Sequence, residues 1–419
     1  MRKIKSIKIK GFWEDGSAEC KFNEDVNIII GRNGTGKTTL MNILHSILTC
    51  DLNQLAENNF EEASIVLQSN GLEKTVRVTK LGTGKPESRN DEFEYVINGK
   101  THNLPILLLV DRPGPPAIAR RRIDRITSDV KKELSSLLNI TSISVYRLRH
   151  DEDLEIRDRF GRISTTPIDY RLKSTLADLS QYCSEISQKE NKVAQQLQKD
   201  VLTSILSNNI KEGDMNINIS DFNAKDEETK LVQVYEQLGI LDNDVSTKIK
   251  EHVKYIENII NEFPQKNEEA INNRLTLLSI TTRVVDLSLQ AYDKNKIIRK
   301  QLELFLGKLK EFMPEKNFSI VSGKLTVENK FREIDIKDLS SGEKQLIILL
   351  IESLLQREKD YVLLADEPEI SLHIEWQGKI IPAIRSLNPN AQIIVATHSP
   401  EVAAPYENKI FDMSEIYSE

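Results

Sequence analysis

An apolar run, Val26-Asn-Ile-Ile-Ile30, leads directly into Gly31-Arg32-Asn33-Gly34-Thr35-Gly36-Lys37-Thr38-Thr39. Apolar residues at helical spacing follow, at Leu40, Ile43, Leu44, Ile47 and Leu48. No other feature constrains the chain as strongly, because strand, glycine-rich loop and helix in that order commit it to an α/β layer. The order also gives the loop a chemistry. Glycines at 31, 34 and 36 let backbone N–H groups turn inward around phosphate oxygens at a helix N-terminus, where the helix dipole adds positive potential. Lys37 is then placed for the outer phosphates of a nucleotide and the Thr38 hydroxyl for magnesium. Gly82-Thr-Gly84-Lys85 imitates the motif, but it lacks the upstream glycine and runs into Pro86, so it reads as an ordinary loop.

A second apolar strand, Tyr361-Val-Leu-Leu-Ala365, ends in Asp366-Glu367-Pro368. Ligands bind outside the carboxyl ends of strands in open α/β sheets, so this acid pair is positioned for chemistry. Asp366 is the candidate magnesium ligand, directly or through an outer contact. Glu367 is the candidate general base that polarises an attacking water. A third apolar strand, Gln392-Ile-Ile-Val-Ala396, ends in Thr397-His398-Ser399-Pro400, and His398 there can contact a terminal phosphate and sense its hydrolysis. Finally, Leu339-Ser-Ser-Gly-Glu-Lys-Gln345 is an extra serine-glycine element that no single nucleotide site needs, which points to a site completed by a second copy of the chain.

Together these motifs resemble the ABC-type ATPase head: a Walker A loop at 31 to 38, a signature at 339 to 343, a Walker B strand at 361 to 367 and a switch histidine at 398. Within that class the chain is similar to the SMC and RecF branch, and most of all to the stand-alone and overcoming-lysogenization-defect (OLD) ATPases of bacterial anti-phage systems. Ile4-Lys-Ser-Ile-Lys-Ile-Lys-Gly-Phe12 with Phe22 resembles the first hairpin of that branch. The signature continues as Glu-Lys-Gln, and Asp366-Glu-Pro-Glu-Ile-Ser-Leu-His373 ends in His where transporter ATPases carry Asp.

The resemblance implies an α/β head, a mixed sheet with flanking helices, split by a helical arm insertion. It also implies ATP and Mg2+ as ligands and a sandwich dimer in which ATP lies between Lys37 of one copy and Ser341, Gly342 and Glu343 of the other. The family's glutamine-bearing loop has no convincing counterpart. The corresponding stretch, Ile143-Ser-Val-Tyr-Arg147-Leu-Arg149, carries arginines that either meet phosphate or a neighbouring subunit, or pair at the surface with Asp151 to Asp153.

The chain has 419 residues, 39% hydrophobic, enough for two or three domains with real cores. Apolar runs fall short of the ~18 residues of a membrane span, and the start lacks the apolar core of a signal peptide. Three scattered cysteines favour neither disulfides nor a metal site, so a reducing cytoplasm is expected. A net charge of -7 argues against a surface that wraps DNA, which needs a basic stripe. Two local exceptions exist. The run from Lys294 to Lys310 is diluted by Glu303 and Glu311 and reads as a solvated helix face. Arg120-Arg-Arg122 with Arg125, Lys131 and Lys132, after the loop Arg112-Pro-Gly-Pro-Pro116, is less diluted and is a candidate contact for nucleic acid or an acidic partner.

Along the chain we expect an N-terminal lobe of the head at 1–169, helices folded back on one another at 170–313, broken at 213–223 and near Pro264, and a C-terminal lobe at 314–419. A helix of forty residues reaches about 60 Å. Only 21 residues follow His398, too few for the Toprim nuclease domain of the OLD proteins, so damaging chemistry is expected on a separate polypeptide. Two functions compete. One is a regulatory ATPase that restrains or activates an effector nuclease of Toprim or HNH type in response to a phage trigger, as PARIS-type, Septu-type and retron-associated ATPases imply. The other is a RecF-like or SMC-like clamp on DNA.

Overall fold

The computed structural model describes residues 2–13, 16–69, 71–81, 92–105, 116–144, 154–158, 161–206, 223–237, 241–261 and 268–418. Arg147, Arg149, the loop at 82–85, residues 112–115, the break at 213–222 and Pro264 lie outside them, as do the side chains of Arg120 to Arg122.

Strands β1 (Lys3–Phe12) and β2 (Gly16–Lys21) form the opening hairpin. The chain then passes through β3 (Val26–Ile30), α1 (Lys37–Thr49) and α2 (Leu52–Glu57) to β4 (Glu62–Ser69), β5 (Leu72–Leu81), β6 (Glu92–Ile97) and β7 (Lys100–Pro105). All of these strands except β3 join one antiparallel sheet, in the order β2-β1-β4-β5-β6-β7. Its alternation is the expected one for a sheet wet on one face: Ala63, Ile65 and Leu67 of β4 and Phe93, Tyr95 and Ile97 of β6 point inward. In β1, however, Ile4 and Ile7 are both buried although they are three apart. A register shift between Ile4 and Ser6 in the pairing with β4 puts them on the same side.

Next come α3 (Pro116–Leu137), β8 (Ile140–Ser144) and a two-stranded ladder, β9 (Leu154–Asp158) with β10 (Gly161–Thr165). Helices α4 (Pro167–Leu206), α5 (Ala224–Gln237), α6 (Asn243–Asn261) and α7 (Glu268–Phe312) fill the middle of the chain. Two compact units result, Met1–Ser180 with Leu304–Glu419, and Gln181–Glu303. Composition places the change at 170 and 313, and the units divide inside α4 and α7, where the N-terminal part of α4 buries Leu172 and Leu179 and the C-terminal part of α7 buries Phe305, Leu309 and Phe312. The second unit has its own small core of Leu231, Ile249 and Val253 with Val285. Within it Glu190 of α4 receives both Nε and a terminal nitrogen of Arg299 from α7. Among the described residues no helix is long and apolar enough to cross a membrane.

The first unit resumes with β11 (Asn317–Val321) and β12 (Lys324–Glu328), turned at Ser322 and Gly323, which have φ of 50° and 77°. Two left-handed residues match the right-handed twist of a tight hairpin. A third strand, β13 (Glu333–Ile334), which the sequence pattern does not announce, completes this small sheet. Then follow α8 (Ser341–Leu355), β14 (Tyr361–Asp366), α9 (Ile374–Leu387), β15 (Ala391–Ala396), α10 (Pro400–Ala403), β16 (Ile410–Asp412), α11 (Met413–Ile416) and β17 (Tyr417–Ser418), the last pairing with β2.

Strands β16, β3, β15, β14 and β8, in that order, make an all-parallel sheet. Its central strands β14 and β15 are buried along nearly their whole length because both faces are covered. Helix α1 is packed into the core that this sheet shares with the antiparallel one, burying Leu40, Ile43, Leu44 and Ile47 alongside Ile7, Ile9, Leu364 and Ile394. The expected mixed α/β layers with flanking helices are therefore present. Because these strands are parallel, the loops leaving β3, β14 and β15 emerge at the same end of the sheet.

Candidate nucleotide site

The loop leaving β3 bends through positive φ at Gly34 (82°) and Gly36 (93°), the latter directly capping α1. Gly36 is doubly constrained, since a Cβ there would lie 2.9 Å from Phe12 Cζ. Arg32, Asn33, Gly34 and Thr38 are exposed, and Thr35 and Thr39 are half-buried. Gly36 and Lys37 are buried, the lysine at 4% exposure. Its ammonium donates to the carbonyl oxygens of Gly31 (2.8 Å) and Arg32 (3.1 Å), so the side chain folds back across its own loop. Burial lowers its pKa, and the carboxylates of Glu367, Asp366 and Glu369 pull the other way. The charge of the loop lysine is thus felt at the end of β14.

Asp366 is the last residue of β14. Glu367 leaves the strand with φ of 49°, in the left-handed region that is costly for a residue with a Cβ, and its N–H donates to the Ala396 carbonyl at 2.7 Å. This bond ties the ends of neighbouring strands together. His398, on the loop after β15, brings Nε2 to 3.5 Å from Glu367 Oε1. The two side chains differ in access, with the histidine 36% and the glutamate 17% exposed. The loops after β3, β14 and β15 therefore bring Lys37, Asp366, Glu367 and His398 to one end of one sheet.

Sequence reasoning assigned no role to Glu369, although a third carboxylate within four residues of Asp366 was the available signal. It is 8% exposed, and its Oε1 accepts from the Thr397 hydroxyl (2.5 Å) and from the His398 N–H (3.1 Å). Its Oε2 is buried with no hydrogen-bond partner among the described residues.

The serine-glycine element opens α8. Ser340 is the N-cap, and its hydroxyl accepts from Glu343 N–H while Glu343 Oε2 accepts from Ser340 N–H, a reciprocal capping box. Glu343 Oε1 also pairs with Lys316. Although burial works against the charge, the Lys316 ammonium and the Ser340 amide hold the Glu343 carboxyl below its usual range. Ser341 is exposed at the helix start and Gly342 is buried. A Cβ on Gly342 would lie 2.2 Å from the Ser371 carbonyl oxygen, so this glycine serves close approach. Lys344 reaches Asp169 at the start of α4 (2.8 Å), and Gln345 donates to the Pro368 carbonyl just past the acid pair (3.0 Å). The departure at His373 also has a local use, since His373 caps α9 with Nδ1 accepting from Glu375 N–H. Among the described residues, no group of three or more His, Cys, Asp or Glu side chains is arranged to hold a metal ion.

A comparison with known proteins places residues 26–404 in the family described as "AAA domain, putative AbiEii toxin, Type IV TA system". The chain is 27% identical over 179 residues to "Retron Vc95 probable ATPase" of Vibrio cholerae serotype O1 biovar El Tor, covering 36% of this chain and 34% of that protein. It is 40% identical over 83 residues to "Septu protein PtuA" of Bacillus thuringiensis, covering 17% of this chain and 21% of that one. The chain thus matches about a third of the first relative's length and less of the second's. Among solved structures, an Smc head domain with an extended coiled coil from Pyrococcus furiosus, bound to the C-terminal domain of ScpA, aligns over 96% of this chain and 92% of that one, at 15% identity and a TM-score of 0.46. The family match runs from β3 to beyond His398, and the chain belongs to this family of AAA domains.

Proposed function

We propose that the chain is an ATP-hydrolysing subunit of an anti-phage system, assembling as ATP-sandwich dimers and restraining or activating a separate effector nuclease. The observation that carries the reading is the convergence of the loops after β3, β14 and β15, with Lys37 in the field of three carboxylates. The loop fits a nucleotide: it has glycines where the backbone turns left-handed, exposed residues at Arg32, Asn33, Gly34 and Thr38, and a lysine held over it. Residues 31–39 are the proposed phosphate cradle.

Thr38 and Asp366 would hold Mg2+, whose chemistry here is neutralisation of the β and γ phosphate charge. Thr38 is exposed at the first turn of α1 and Asp366 stands at the end of β14, both oxygen donors of the kind this ion takes. Glu367 is the proposed base, with His398 beside it at the water and terminal phosphate. Ser341 and Gly342, at the exposed start of α8, are the proposed contribution of the second copy. The Glu343 carboxylate is already engaged by Ser340 and Lys316, so its proposed part is to hold that helix start in shape.

The names of the matched relatives, a retron ATPase and a Septu protein, support placing the chain in anti-phage defence. The test joins three measurements on purified chain: ATP turnover, mass in solution with and without ATP, and recovery of the product of the neighbouring gene after co-expression. We expect turnover, an ATP-dependent rise in mass and a stable complex. No turnover would remove the enzymatic part. Salt-sensitive, ATP-dependent binding to duplex DNA with no protein partner would favour the DNA-clamp reading instead.

A further inference from the structure

We propose that Glu369 is a positioning residue for hydrolysis, acting through His398. The inference rests on the reading of Glu367 and His398 given above. The ends of β14 and β15 are joined by the Glu367 N–H to Ala396 carbonyl bond, and nothing in that bond determines where the chain goes beyond Ala396. Glu369 does so. With one carboxylate oxygen it accepts from the hydroxyl of Thr397, a residue with no solvent exposure, and from the backbone N–H of His398.

Two donors from consecutive residues meeting one acceptor hold the backbone of His398 in place, and the imidazole then stands 3.5 Å from Glu367 Oε1. Pro368 gives the intervening turn a restricted φ, and its carbonyl is held by Gln345 of α8, so the staple is anchored on a rigid support. A 1 Å error in the position of a reacting group can cost on the order of a hundredfold in rate, which is the scale on which such a staple acts. What Glu369 supplies is an acceptor, because its second oxygen makes no hydrogen bond among the described residues.

The experiment uses the full chain and two readouts. In steady-state ATP hydrolysis, Glu369→Ala is expected to lower kcat on the order of tenfold to a hundredfold with KM within about twofold. Glu369→Gln keeps an acceptor oxygen and is expected to retain most of the activity. His398→Ala combined with Glu369→Ala is expected to be no slower than His398→Ala alone. Independently of turnover, the rate at which diethyl pyrocarbonate modifies His398, read by mass spectrometry without nucleotide, is expected to rise in Glu369→Ala and not in Glu369→Gln.

Additive effects of the two alanine substitutions, a glutamine variant as slow as the alanine one, or an unchanged modification rate would each overturn the proposal. A wild-type chain that turns over no ATP, with His398 modification rising as described, would remove the hydrolytic reading while the positioning of His398 stood. A rise in KM at constant kcat would make Glu369 a nucleotide-binding residue and overturn the inference.

Discussion

Gly342 has no room for a side chain, because the carbonyl oxygen it faces belongs to Ser371, which is itself held at φ 71°. Together with Glu367 at φ 49°, this makes two left-handed residues with side chains in the loop between β14 and α9, a cost accepted only where the surroundings demand the geometry. Gly342→Ala should therefore push the start of α8 off that loop. We expect a loss of about 1–3 kcal/mol in urea unfolding, the usual scale of overpacking, and loss of the ATP-dependent rise in mass. A variant as stable and as able to assemble as the parent would show that the approach can relax. Two charged residues of the proposed site separate binding from chemistry. Lys37→Ala removes the ammonium that spans the loop and is expected to abolish binding of a fluorescent ATP analogue. Glu367→Gln should bind that analogue normally and turn ATP over at least a hundredfold more slowly, the lower range for a lost general base. Unchanged turnover would remove Glu367 from that role.

At the scale of elements, what was legible in the sequence was what is local. The apolar runs of β3, β14 and β15, and the glycine spacing after β3, depend only on neighbours in the chain, so both the strands and the polar residues at their ends could be read. The roles of Glu343, Lys344 and Gln345 could not, because each finds its partner in a different element: Lys316 before β11, Asp169 in α4 and Pro368 after β14. Sequence marks these three residues as unusual and the fold shows them to be anchors of α8. Gln392 is a similar case. In the apolar run of β15 it looks like a stray polar residue, yet its side chain accepts from Ile4 N–H and donates to Ile4 C=O, both at 2.7 Å, and also donates to Asn23 C=O. It thereby splices the parallel sheet to the antiparallel one beside the register shift of β1, with no solvent exposure. Gln392→Leu would leave buried donors and acceptors unpaired, and we expect a cost of about 2–4 kcal/mol in denaturant unfolding. A change below about 0.5 kcal/mol, the level of an ordinary surface substitution, would mean that water replaces the amide.

Across the whole first unit, the two ends of the parallel sheet are held differently. The proposed nucleotide site lies at the carboxyl ends of the strands, whereas the opposite end is held by Asp25, just before β3. Its Oδ1 accepts from Val26 N–H, and its Oδ2 accepts from Arg385 of α9 and Lys409 before β16. Burial alone would raise its pKa, but Lys409, the Val26 amide and Arg385 outweigh burial and lower it to about 2. A carboxyl depressed in the folded state contributes stability above its unfolded pKa near 4, and that contribution is lost as pH falls towards the folded value. The window is therefore pH 4 to pH 2, with nothing changing between pH 5 and pH 8. A shift of nearly two units corresponds to at most about 2.5 kcal/mol, and with a side chain about a third exposed we expect about 1–2 kcal/mol. Measured by urea unfolding, the stability gap between parent and Asp25→Asn should be constant above pH 5 and should close as pH approaches 2, because the parent then carries a neutral acid where the variant carries a neutral amide. Other carboxylates titrate in the same range, but they do so in both proteins and cancel in the difference. A gap that persisted to pH 2 would show that Asp25 holds this end of the sheet through its hydrogen-bonding shape, with its charge contributing little.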